Sequence, residues 1–513
     1  MSTGVVYLVG AGPGRPGLIT VEGARRLGGA DVVVYDYLAN PRLLDHAPPS
    51  AQRILVGKHG GGRTVPQAEI TALLIEHAMA GRTVVRLKGG DPLVFGRGAE
   101  EAQALRMAGV RFEIVPGVSA AVAVPAYAGI PLTDRDSSSS FTVLTGYEYP
   151  GKADLAVRWD AVARRGGTLV LLMTTRQLRN NMAKLISHGM AADTPVAVIR
   201  WGTVAQQRTV VGTAATIADA ADAAGIGPPA LAVVGRVVSL RKQLAWFESK
   251  PLFGRSIAVT RPRAQAREFI EALEDLGADV LAVPTIEIVE PDSWDPVDRA
   301  IAAVGDFDWL VFTSANGVER FTERLLGRGR DARSLHRAHI AAVGPATASA
   351  LRQRGLAVDV VPGEYRAEGV AAAMIERNVR GAKVLLPRAS AAREILPALL
   401  GEAGATVTEV HVYNTVPVAG GNPFLLELLA SGRLDMVTFT SSSTARNFFD
   451  MVHLADVGAR ERLQKTAMAC IGPITADTVR ECGYPVAVRA DRYTVEGLTR
   501  AIVDHFAQPE IGA

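Results

Sequence analysis

The chain has 513 residues, of which 48% are hydrophobic, and its formal net charge is +3. This length predicts several domains, since roughly 100–200 residues per domain is usual. The nearly balanced charge and the lack of long basic runs argue against a nucleic-acid-binding protein. The two cysteines, Cys470 and Cys482, match no zinc or redox motif, and we expect no metal site. Neither a signal peptide nor a membrane-spanning run is recognised, so we expect a cytoplasmic protein.

A glycine-rich loop, residues 10–17, follows the first predicted strand, residues 5–9. It invites comparison with the dinucleotide-binding fingerprint G-x-G-x-x-G, which would make the protein an oxidoreductase. However, Arg15 replaces the third glycine of that fingerprint. Pro13 and Pro16 also lack the amide hydrogens that a pyrophosphate group needs. The loop therefore favours a nucleoside without phosphates.

Predicted strands and helices alternate through the next hundred residues. The predicted strands are 32–35, 52–56, 83–87 and 112–115, and the predicted helices are 21–28, 66–80 and 100–108. This alternation predicts an α/β domain with a parallel sheet. Asp36 directly follows a strand, where its carboxylate could bind a ribose or accept a proton.

The segment 83–98, TVVRLKGGDPLVFGRG, is the strongest candidate for a binding site. Gly89 and Gly90 allow the main chain to approach a ligand closely, and Asp91 offers carboxylate oxygens to hydroxyl or amino groups. In open α/β sheets, ligands bind beyond the carboxyl ends of the strands, where this turn is expected. A plain strand-to-helix turn is the alternative, but the flanking Lys88 and Arg97 favour a site.

Cations accompany these strand ends. They are Lys58, His59, Arg63, Arg86, Lys88, Arg97 and Arg135. Such a cluster favours an anionic ligand, although solvated surface is the alternative for several of them. The segment 116–120 leads into a helix whose first amide groups are free for an acceptor.

A second sheet is predicted after the serine run 137–140, which we interpret as a flexible loop at a domain junction. Its strands are 141–144, 168–173, 195–199 and 230–234, and a last helix follows at 240–247. Residues 249–251, Ser-Lys-Pro, have the composition of a linker. We therefore predict that the first domain comprises residues 1–250 and the second part residues 251–513.

The first part resembles a uroporphyrinogen-III C-methyltransferase of the tetrapyrrole methylase family. In chain order, the resemblance is carried by VGAGPG, VVYD, VGKHGG, PQAEI, VRLKGGDPLVFGRG, VPGVSA, YAGIPLT, LLMT, TPVAVIRWGT, PALAVVG and WFE. It implies two α/β lobes with a junction near 117–140, S-adenosylmethionine bound between them, and a homodimer. The implied substrate is uroporphyrinogen III, whose eight carboxylates the cations above would meet.

This resemblance also implies roles for individual residues. Asp36 and Lys58 match the proton-transfer pair of the family. The implied cofactor-binding residues are Pro13, Gly89, Gly90, Asp91, Val94, Ser119, Ala120, Met173, Gly202 and Ala230. Four residues depart from the family pattern, namely Arg15, Asp134, Tyr147 and Thr174. A sulfonium methyl group is already activated, so the protein has mainly to align it and to accept a proton.

The second part contains an internal duplication. The segments that begin at Ser256, Val311 and Ala341 reappear in the same order at Lys383, Thr438 and Ala469. This spacing is far too long for a solenoid repeat. Two similar α/β lobes, each with a parallel sheet, are therefore predicted.

Each copy contains two strand-to-helix turns rich in small hydroxyl residues. Turns 313–316 and 440–443 form one pair, and turns 344–347 and 472–475 form the other. Ser and Thr at such positions cap helices, each contributing about 1 kcal/mol. Four helix starts around one cleft would also receive carboxylates. A module that only binds an anion is therefore an alternative, since no Cys-His, Ser-His-Asp or phosphate-loop pattern is recognised.

This part resembles uroporphyrinogen-III synthase through the motifs VTRPR, VPTIEI, FTSANGV, AVGPATA, LPRA, VYNT, FTSSST and IGPITA. The resemblance implies lobe one at 251–287 plus 418–513 and lobe two at 291–412, with crossings near 286–291 and 413–417. It implies that hydroxymethylbilane loses water and closes with its last pyrrole inverted, without a cofactor. Tyr413 matches the tyrosine that helps the hydroxyl group leave. The implied substrate-binding residues are Arg261, Thr313, Ser314, Thr347, Arg388, Ser441, Ser442 and Thr475.

Together the two resemblances imply a bifunctional enzyme of tetrapyrrole biosynthesis. It would form uroporphyrinogen III and methylate it twice to precorrin-2, on the way to sirohaem or cobalamin. The alternative is that one half is active and the other half only binds a ligand.

Overall fold

The computed structural model describes residues 3–57, 65–147, 157–363, 366–390, 395–418, 422–456 and 458–507. Within these ranges the chain forms four five-stranded sheets accompanied by helices, which confirms the predicted α/β class. It divides into two compact units. The first unit comprises Met1–Ile257, Glu271–Val280 and Ile502–Ala513, and the second comprises Ala258–Ile270 and Leu281–Ala501. The domain and lobe boundaries given above stay predictions. No helix within the described ranges has both the length and the apolar character needed to cross a bilayer.

The first sheet is entirely parallel. Its strands are β1 (Val5–Gly10), β2 (Val32–Tyr35), β3 (Gln52–Leu55), β4 (Thr83–Lys88) and β5 (Arg111–Val115), and its helices are α1 (Val21–Gly28), α2 (Gln67–Met79), α3 (Gly98–Met107) and α4 (Ala120–Tyr127). The strand order is β3-β2-β4-β1-β5. Leu8 and Val34 belong to one buried apolar cluster, whereas Val9 and Val33 belong to another. Burial on both faces explains the continuous apolar runs of these strands.

The second sheet is mixed. Its strands are β6 (Phe141–Thr145), β7 (Thr168–Leu172), β8 (Pro195–Arg200), β9 (Arg208–Thr213) and β10 (Ala230–Val234), and its helices are α5 (Trp159–Arg165), α6 (Leu178–Ser187), α7 (Ile217–Ala223) and α8 (Arg241–Leu244). The order is β6-β7-β10-β8-β9, with β6 parallel to β7 and the other pairings antiparallel. Sequence analysis missed β9, because this partly exposed edge strand carries no long apolar run.

One local prediction in this region is wrong. The predicted helix 240–247 is only α8, because the chain is extended at Ala245 and Phe247 packs its ring against Tyr127. The serine run 137–140 lies outside the helices and strands, as predicted, in a hydrogen-bonded turn, and its flexibility stays a prediction. The Ser138 hydroxyl donates to the carbonyl of Ser140 at 2.8 Å and accepts from Thr168 at 3.0 Å. These side-chain hydrogen bonds connect the serine run to the start of β7.

The second half of the chain contains two further sheets. Its strands are β11 (Ser256–Val259), β12 (Asp279–Ala282), β13 (Ile286–Val289), β14 (Trp309–Phe312), β15 (His339–Ala342), β16 (Lys383–Ala389), β17 (Thr406–Pro417), β18 (Met436–Phe439), β19 (Ala467–Cys470) and β20 (Val488–Arg489). Its helices are α9 (Arg263–Asp275), α10 (Asp295–Ala302), α11 (Ala315–Gly327), α12 (Pro345–Gln353), α13 (Ala367–Ile375), α14 (Ile395–Glu402), α15 (Pro423–Ala430), α16 (Ser442–Ala455), α17 (Ala459–Leu463), α18 (Pro473–Glu481) and α19 (Val495–Ala507).

The duplication is visible in the strand orders β12-β11-β18-β19-β20 and β13-β17-β16-β14-β15. The repeated segments occupy equivalent places, since β12, β11, β18 and β19 match β17, β16, β14 and β15. The prediction of a parallel sheet is wrong for the second of these sheets, where β13 runs antiparallel to β17. In this pair Ile286 lies opposite Pro417, so the two segments predicted to link the lobes run beside each other in opposite directions.

Three glycines meet at the carboxyl edge of the first sheet. Gly10 ends β1, Gly90 follows β4 and Gly117 follows β5. A Cβ atom on Gly117 would lie 2.3 Å from the carbonyl oxygen of Gly90 and 2.6 Å from the Cα of Gly10. Side-chain-free residues therefore allow three main-chain segments to converge at this edge.

We expect Gly117→Ala to lower the free energy of unfolding of the first half by about 1–3 kcal/mol, because the added methyl group overlaps main-chain atoms that cannot rotate away. Gly17→Ala is the matched control, since a Cβ atom there would meet nothing within 4 Å. Urea unfolding followed by circular dichroism measures both. Equal unfolding midpoints for the two variants would contradict the packing described here.

Candidate functional site

The turn after β4 is hydrogen-bonded to the loop after β1. The main-chain amide of Ala11 donates to the carbonyl of Lys88 at 2.7 Å. Gly12 and Gly90 exchange two main-chain hydrogen bonds, at 3.2 and 2.8 Å, as an isolated bridge. The two glycine-rich segments singled out in the sequence therefore form one surface beyond the carboxyl ends of adjacent strands.

The Asp91 carboxylate is occupied by main-chain amides. Its Oδ1 accepts hydrogen bonds from Leu93 at 2.8 Å and Val94 at 3.2 Å, and its Oδ2 accepts one from Gly117 at 3.0 Å. These hydrogen bonds give both oxygens a structural role that the sequence did not predict, and the proposed contact with a ligand hydroxyl or amine stays a prediction. Asp91 joins the turn after β4 to the turn after β5 and fixes the shape of both.

The start of α4 lies next to this turn. Ser119 caps the helix, since its Oγ accepts a hydrogen bond from the amide of Ala121 at 3.3 Å. Gly90 has φ = +67°, and a Cβ atom there would lie 3.7 Å from the amide nitrogen of Ala120. The predicted residues Gly90, Ser119 and Ala120 are thus brought together.

The loop that contains Pro13 meets a turn of the second sheet. The amide of Arg15 donates to the hydroxyl oxygen of Thr203 at 3.2 Å. The neighbouring Gly202 packs against α4, where an added Cβ atom would lie 2.3 Å from Cγ1 of Val124. Pro13 and Gly202, which are far apart in sequence, therefore lie in adjoining loops.

Met173 and Ala230 are also neighbours, because Met173 follows β7 and Ala230 begins the adjacent strand β10. Three non-glycine residues of these turns have positive φ, namely Met173 at 57°, Trp201 at 49° and Thr203 at 74°. Each such residue costs on the order of 1–3 kcal/mol and is typical of functional sites.

Asp36 is held by a buried arginine. Its Oδ1 accepts a hydrogen bond from Nη2 of Arg86 at 2.5 Å, and the side chain of Arg86 is only 2% exposed. Lys88 is also buried, and its Nζ donates to Glu101 at 2.9 Å. Burial lowers the pKa of Lys88. The prediction that Arg86 and Lys88 meet substrate carboxylates is therefore wrong, because both point into the protein.

The remaining predicted cations differ in their surroundings. Lys58, the other member of the proposed proton-transfer pair, lies outside the described residues, as does Arg63. Arg97 is exposed and pairs with Glu100 at 2.7 Å. Arg135 is exposed on the turn after α4.

Large apolar side chains remain exposed at the same sheet edge, and sequence analysis missed most of them. They are Tyr37, Leu38, Leu93, Val94 and Phe95. Leu38 adjoins Gly89, where an added Cβ atom would lie 3.2 Å from the Leu38 Cβ. The rings of Tyr37 and Trp201 meet edge-on, with centroids 6.5 Å apart. The sequence signal for this surface is the presence of large apolar residues in strand-end loops, where polar turn residues are usual.

In the second half, Tyr413 and Ser314 come together. Tyr413 on β17 is 6% exposed, and its hydroxyl lies 3.0 Å from the Ser314 hydroxyl. Ser314 caps α11 by accepting a hydrogen bond from the amide of Gly317 at 3.0 Å. The phenol is thereby oriented at a helix start, next to the partly buried Thr313.

The repeat-equivalent residues Arg261 and Arg388 have different surroundings. Arg388 is buried and pairs with Glu409 at 2.7 Å. Arg261 is partly buried, and burial lowers the pKa of its guanidinium group. Among the described residues Arg261 forms no ion pair, so its charge favours an added anion. Gln265 donates to Asn316 at 3.3 Å, which brings the turn of Arg261 beside the start of α11.

The helix starts of the duplicated half are of two kinds. Ser441 caps α16 at 3.3 Å from the Thr444 amide, as Ser314 caps α11. The other pair of turns, 344–347 and 472–475, leads into α12 and α18, which begin at Gly-Pro without a side-chain cap. Thr347 and Thr475 lie in their first turns and are buried, so main-chain amides rather than hydroxyl groups are available there. Ser442 faces the start of α18, donating to the carbonyl of Ile474 at 3.4 Å.

One departure from the family pattern is built into the core of the second sheet. Thr174 is fully buried, and its Oγ1 accepts a hydrogen bond from Asn181 at 3.1 Å. A Cβ atom on Gly146 would lie 2.5 Å from the Thr174 Cβ. Thr174 has φ = −88°, so the main chain does not require glycine there. Two other departures lie on the surface or in a turn. Tyr147 is exposed. Asp134 forms a side-chain hydrogen bond with Ser137, which lowers the pKa of its carboxyl group.

Two family models match the chain in the predicted order. The model for Tetrapyrrole (Corrin/Porphyrin) Methylases matches residues 5–218, and the model for Uroporphyrinogen-III synthase HemD matches residues 267–500. The Porphyrin biosynthesis protein HemD of Ruminiclostridium josui is 36% identical over 504 residues, which is 98% of each chain. The chain belongs to this porphyrin biosynthesis family. It is an enzyme with a methylase half followed by a synthase half, which confirms both resemblances and removes support for a dinucleotide-dependent oxidoreductase.

Other relatives are named as methyltransferases. The Uroporphyrinogen-III C-methyltransferase of Bacillus subtilis is 40% identical over 361 residues, 70% of this chain and 74% of that protein. The S-adenosyl-L-methionine-dependent uroporphyrinogen III methyltransferase of Methanosarcina barkeri is 51% identical over 237 residues, 46% of this chain and 93% of that protein. The crystal structure of Thermus thermophilus uroporphyrin-III C-methyl transferase complexed with S-adenyl homocysteine matches 46% of this chain and 100% of its own, at 37% identity and a TM-score of 0.40.

We expect Asp91→Ala to weaken binding of S-adenosylhomocysteine by about 10- to 100-fold, because three amide hydrogen bonds to a carboxylate disappear and the turn is released. Titration calorimetry measures the dissociation constant. Asp31→Ala is the matched control, since Asp31 accepts a hydrogen bond from the amide of Thr83 at the opposite edge of the same sheet. Equal affinities for the wild type and Asp91→Ala would exclude this turn from the binding site.

Proposed function

We propose that the chain cyclises hydroxymethylbilane to uroporphyrinogen III and then methylates this product twice, with S-adenosylmethionine, to precorrin-2. The main support is the relative that matches both halves over 98% of each chain. The cytoplasmic location, the homodimer, the absence of a cofactor in the synthase half and the absence of nucleic-acid binding stay predictions.

The carboxyl edge of the first sheet has the chemistry to hold S-adenosylmethionine, which supplies an activated methyl group. The main chain at Gly90 lies beside the first amide of α4, with no side chain between them. Asp91 fixes the shape of that turn by accepting three amide hydrogen bonds. Such a main-chain surface suits a nucleoside that also carries amino and carboxylate groups. The proposed binding set is Pro13, Gly89, Gly90, Asp91, Val94, Ser119, Ala120, Met173, Gly202 and Ala230.

We assign proton acceptance to Asp36. Its carboxylate is partly exposed at the same edge, and Arg86 holds one of its oxygens. The exposed apolar side chains Tyr37, Leu38 and Phe95 are suited to a macrocycle face. Alignment of the macrocycle against the donor and removal of one proton are the two tasks that the protein performs. Lys58 is proposed as the partner of Asp36 in proton transfer.

In the synthase half, Tyr413 is proposed to assist departure of the hydroxyl group. A phenol is a weak acid that can still donate a hydrogen bond to a leaving oxygen, and Ser314 orients it. Substrate carboxylates would meet Arg261 and the uncapped starts of α12 and α18. Holding the linear tetrapyrrole in one shape is the main contribution to catalysis. The remaining proposed contacts are Thr313, Thr347, Ser441, Ser442 and Thr475. Arg388 is buried and paired with Glu409, so we propose that it supports the site rather than touching a substrate carboxylate.

Tyr413→Phe removes only the phenol oxygen. We expect it to slow formation of the type III isomer by on the order of tenfold or more, so that the spontaneous type I ring appears. Chromatography of the oxidised porphyrins measures the isomer ratio. Tyr484→Phe is the matched control, because the buried Tyr484 hydroxyl hydrogen-bonds to His453 at 2.6 Å in the same half. An unchanged rate and isomer ratio in Tyr413→Phe would remove this residue from the mechanism.

A further inference from the structure

Glu101 on α3 is a fully buried carboxylate. Its Oε1 accepts three hydrogen bonds, from Nε of Arg86 at 3.2 Å, Nζ of Lys88 at 2.9 Å and Nε2 of Gln67 at 2.8 Å. Its Oε2 has no hydrogen-bond partner among the described residues. Burying a carboxylate is costly unless the charge is paired. The two cations from β4 provide that pairing.

Arg86 links this buried carboxylate to the exposed one. While its Nε donates to Glu101, its Nη2 donates to Asp36 at 2.5 Å. Its Nη1 donates to the carbonyls of Val34 and Leu87, both at 3.4 Å. A guanidinium group is planar and rigid, so fixing Nε also fixes the direction of Nη2. Glu101 is therefore one of the groups that set the direction in which Arg86 meets Asp36.

The charges within this group are balanced. Asp36 and Glu101 are the acids, and Arg86 and Lys88 are the bases, while Gln67 adds a neutral donor from α2. Loss of the charge on Glu101 would leave two buried cations with a single carboxylate that is partly exposed to solvent. Nε of Arg86 would then have only a neutral acceptor, which holds the guanidinium plane less firmly, and Asp36 would have a less rigid partner.

We propose that Glu101 is a positioning residue for methyl transfer, which acts through Arg86 to hold the Asp36 carboxylate in the orientation that accepts the substrate proton. The inference rests on the proposed role of Asp36. Glu101 is completely buried and does not touch substrate, so its effect passes through the arginine.

A double-mutant cycle on the intact chain tests this inference. We expect Glu101→Gln to lower kcat for methylation of uroporphyrinogen III by about tenfold, because small displacements of a reacting group are costly. KM and the dissociation constant of S-adenosylhomocysteine should change by less than about twofold. In the Asp36→Asn background, the same substitution should have no further effect on kcat, since the carboxylate that it positions is gone.

The outcomes separate the two proposals. If Glu101→Gln lowers kcat by the same factor in both backgrounds, Glu101 acts independently of Asp36 and this inference is wrong, although the role of Asp36 survives. If Asp36→Asn alone leaves kcat unchanged, the proposed role of Asp36 and this inference are both wrong.

Two further variants address folding. The double variant Glu101→Leu, Lys88→Met removes both members of a buried ion pair, a change that is often neutral for stability. It also leaves the Nε of Arg86 without its acceptor. A folded double variant with wild-type kcat would overturn the inference. Glu113→Gln is the control for loss of a carboxylate, since Glu113 forms an exposed ion pair with Arg26 in the same half. It should retain wild-type kcat, and an equal loss of kcat in this control would also overturn the inference.

Discussion

The close approach of Gly10, Gly90 and Gly117 is the constraint on which the methylase half depends. Because these residues lack side chains, the loops after three adjacent strands share main-chain hydrogen bonds at one sheet edge. The Asp91 carboxylate then ties the turns together through amide hydrogen bonds. The same strand, β4, carries Arg86 inward to Asp36. The strand that leads into the proposed cofactor turn therefore also supplies the arginine that holds the proposed proton acceptor at the end of β2.

The synthase half shows how a duplication becomes asymmetric. Ser314 and Ser441 cap equivalent helices with nearly equal backbone angles, so the local fold is retained in both copies. The side chains beside them have diverged. Arg388 is paired with Glu409, whereas its equivalent Arg261 carries no ion pair among the described residues. Tyr413 on β17, which has a proposed role in the reaction, is replaced by Ile286 at the equivalent position of the other copy. Two similar scaffolds thus support one proposed reaction centre.

Sequence analysis predicted the elements better than the contacts. The bounds of α1 and β2 agree with prediction, because Thr20 caps α1 and β2 is a continuous apolar run. Periodicity does not reveal that Asp91 binds amides of its own chain, since that depends on the neighbouring strand order. Nor does it reveal that Arg86 and Lys88 point inward, because a strand buried on both faces has no exposed side. The burial of their partner Glu101 could not be predicted either, because it depends on how α3 packs against the sheet.

The central claim is that two activities act in sequence in one chain. The most direct measurement supplies the intact protein with hydroxymethylbilane and S-adenosylmethionine carrying a labelled methyl group, and analyses the products by mass spectrometry and isomer-resolving chromatography. We expect a type III ring that carries two labelled methyl groups. A product that is entirely type I, or a type III ring without label, would contradict it.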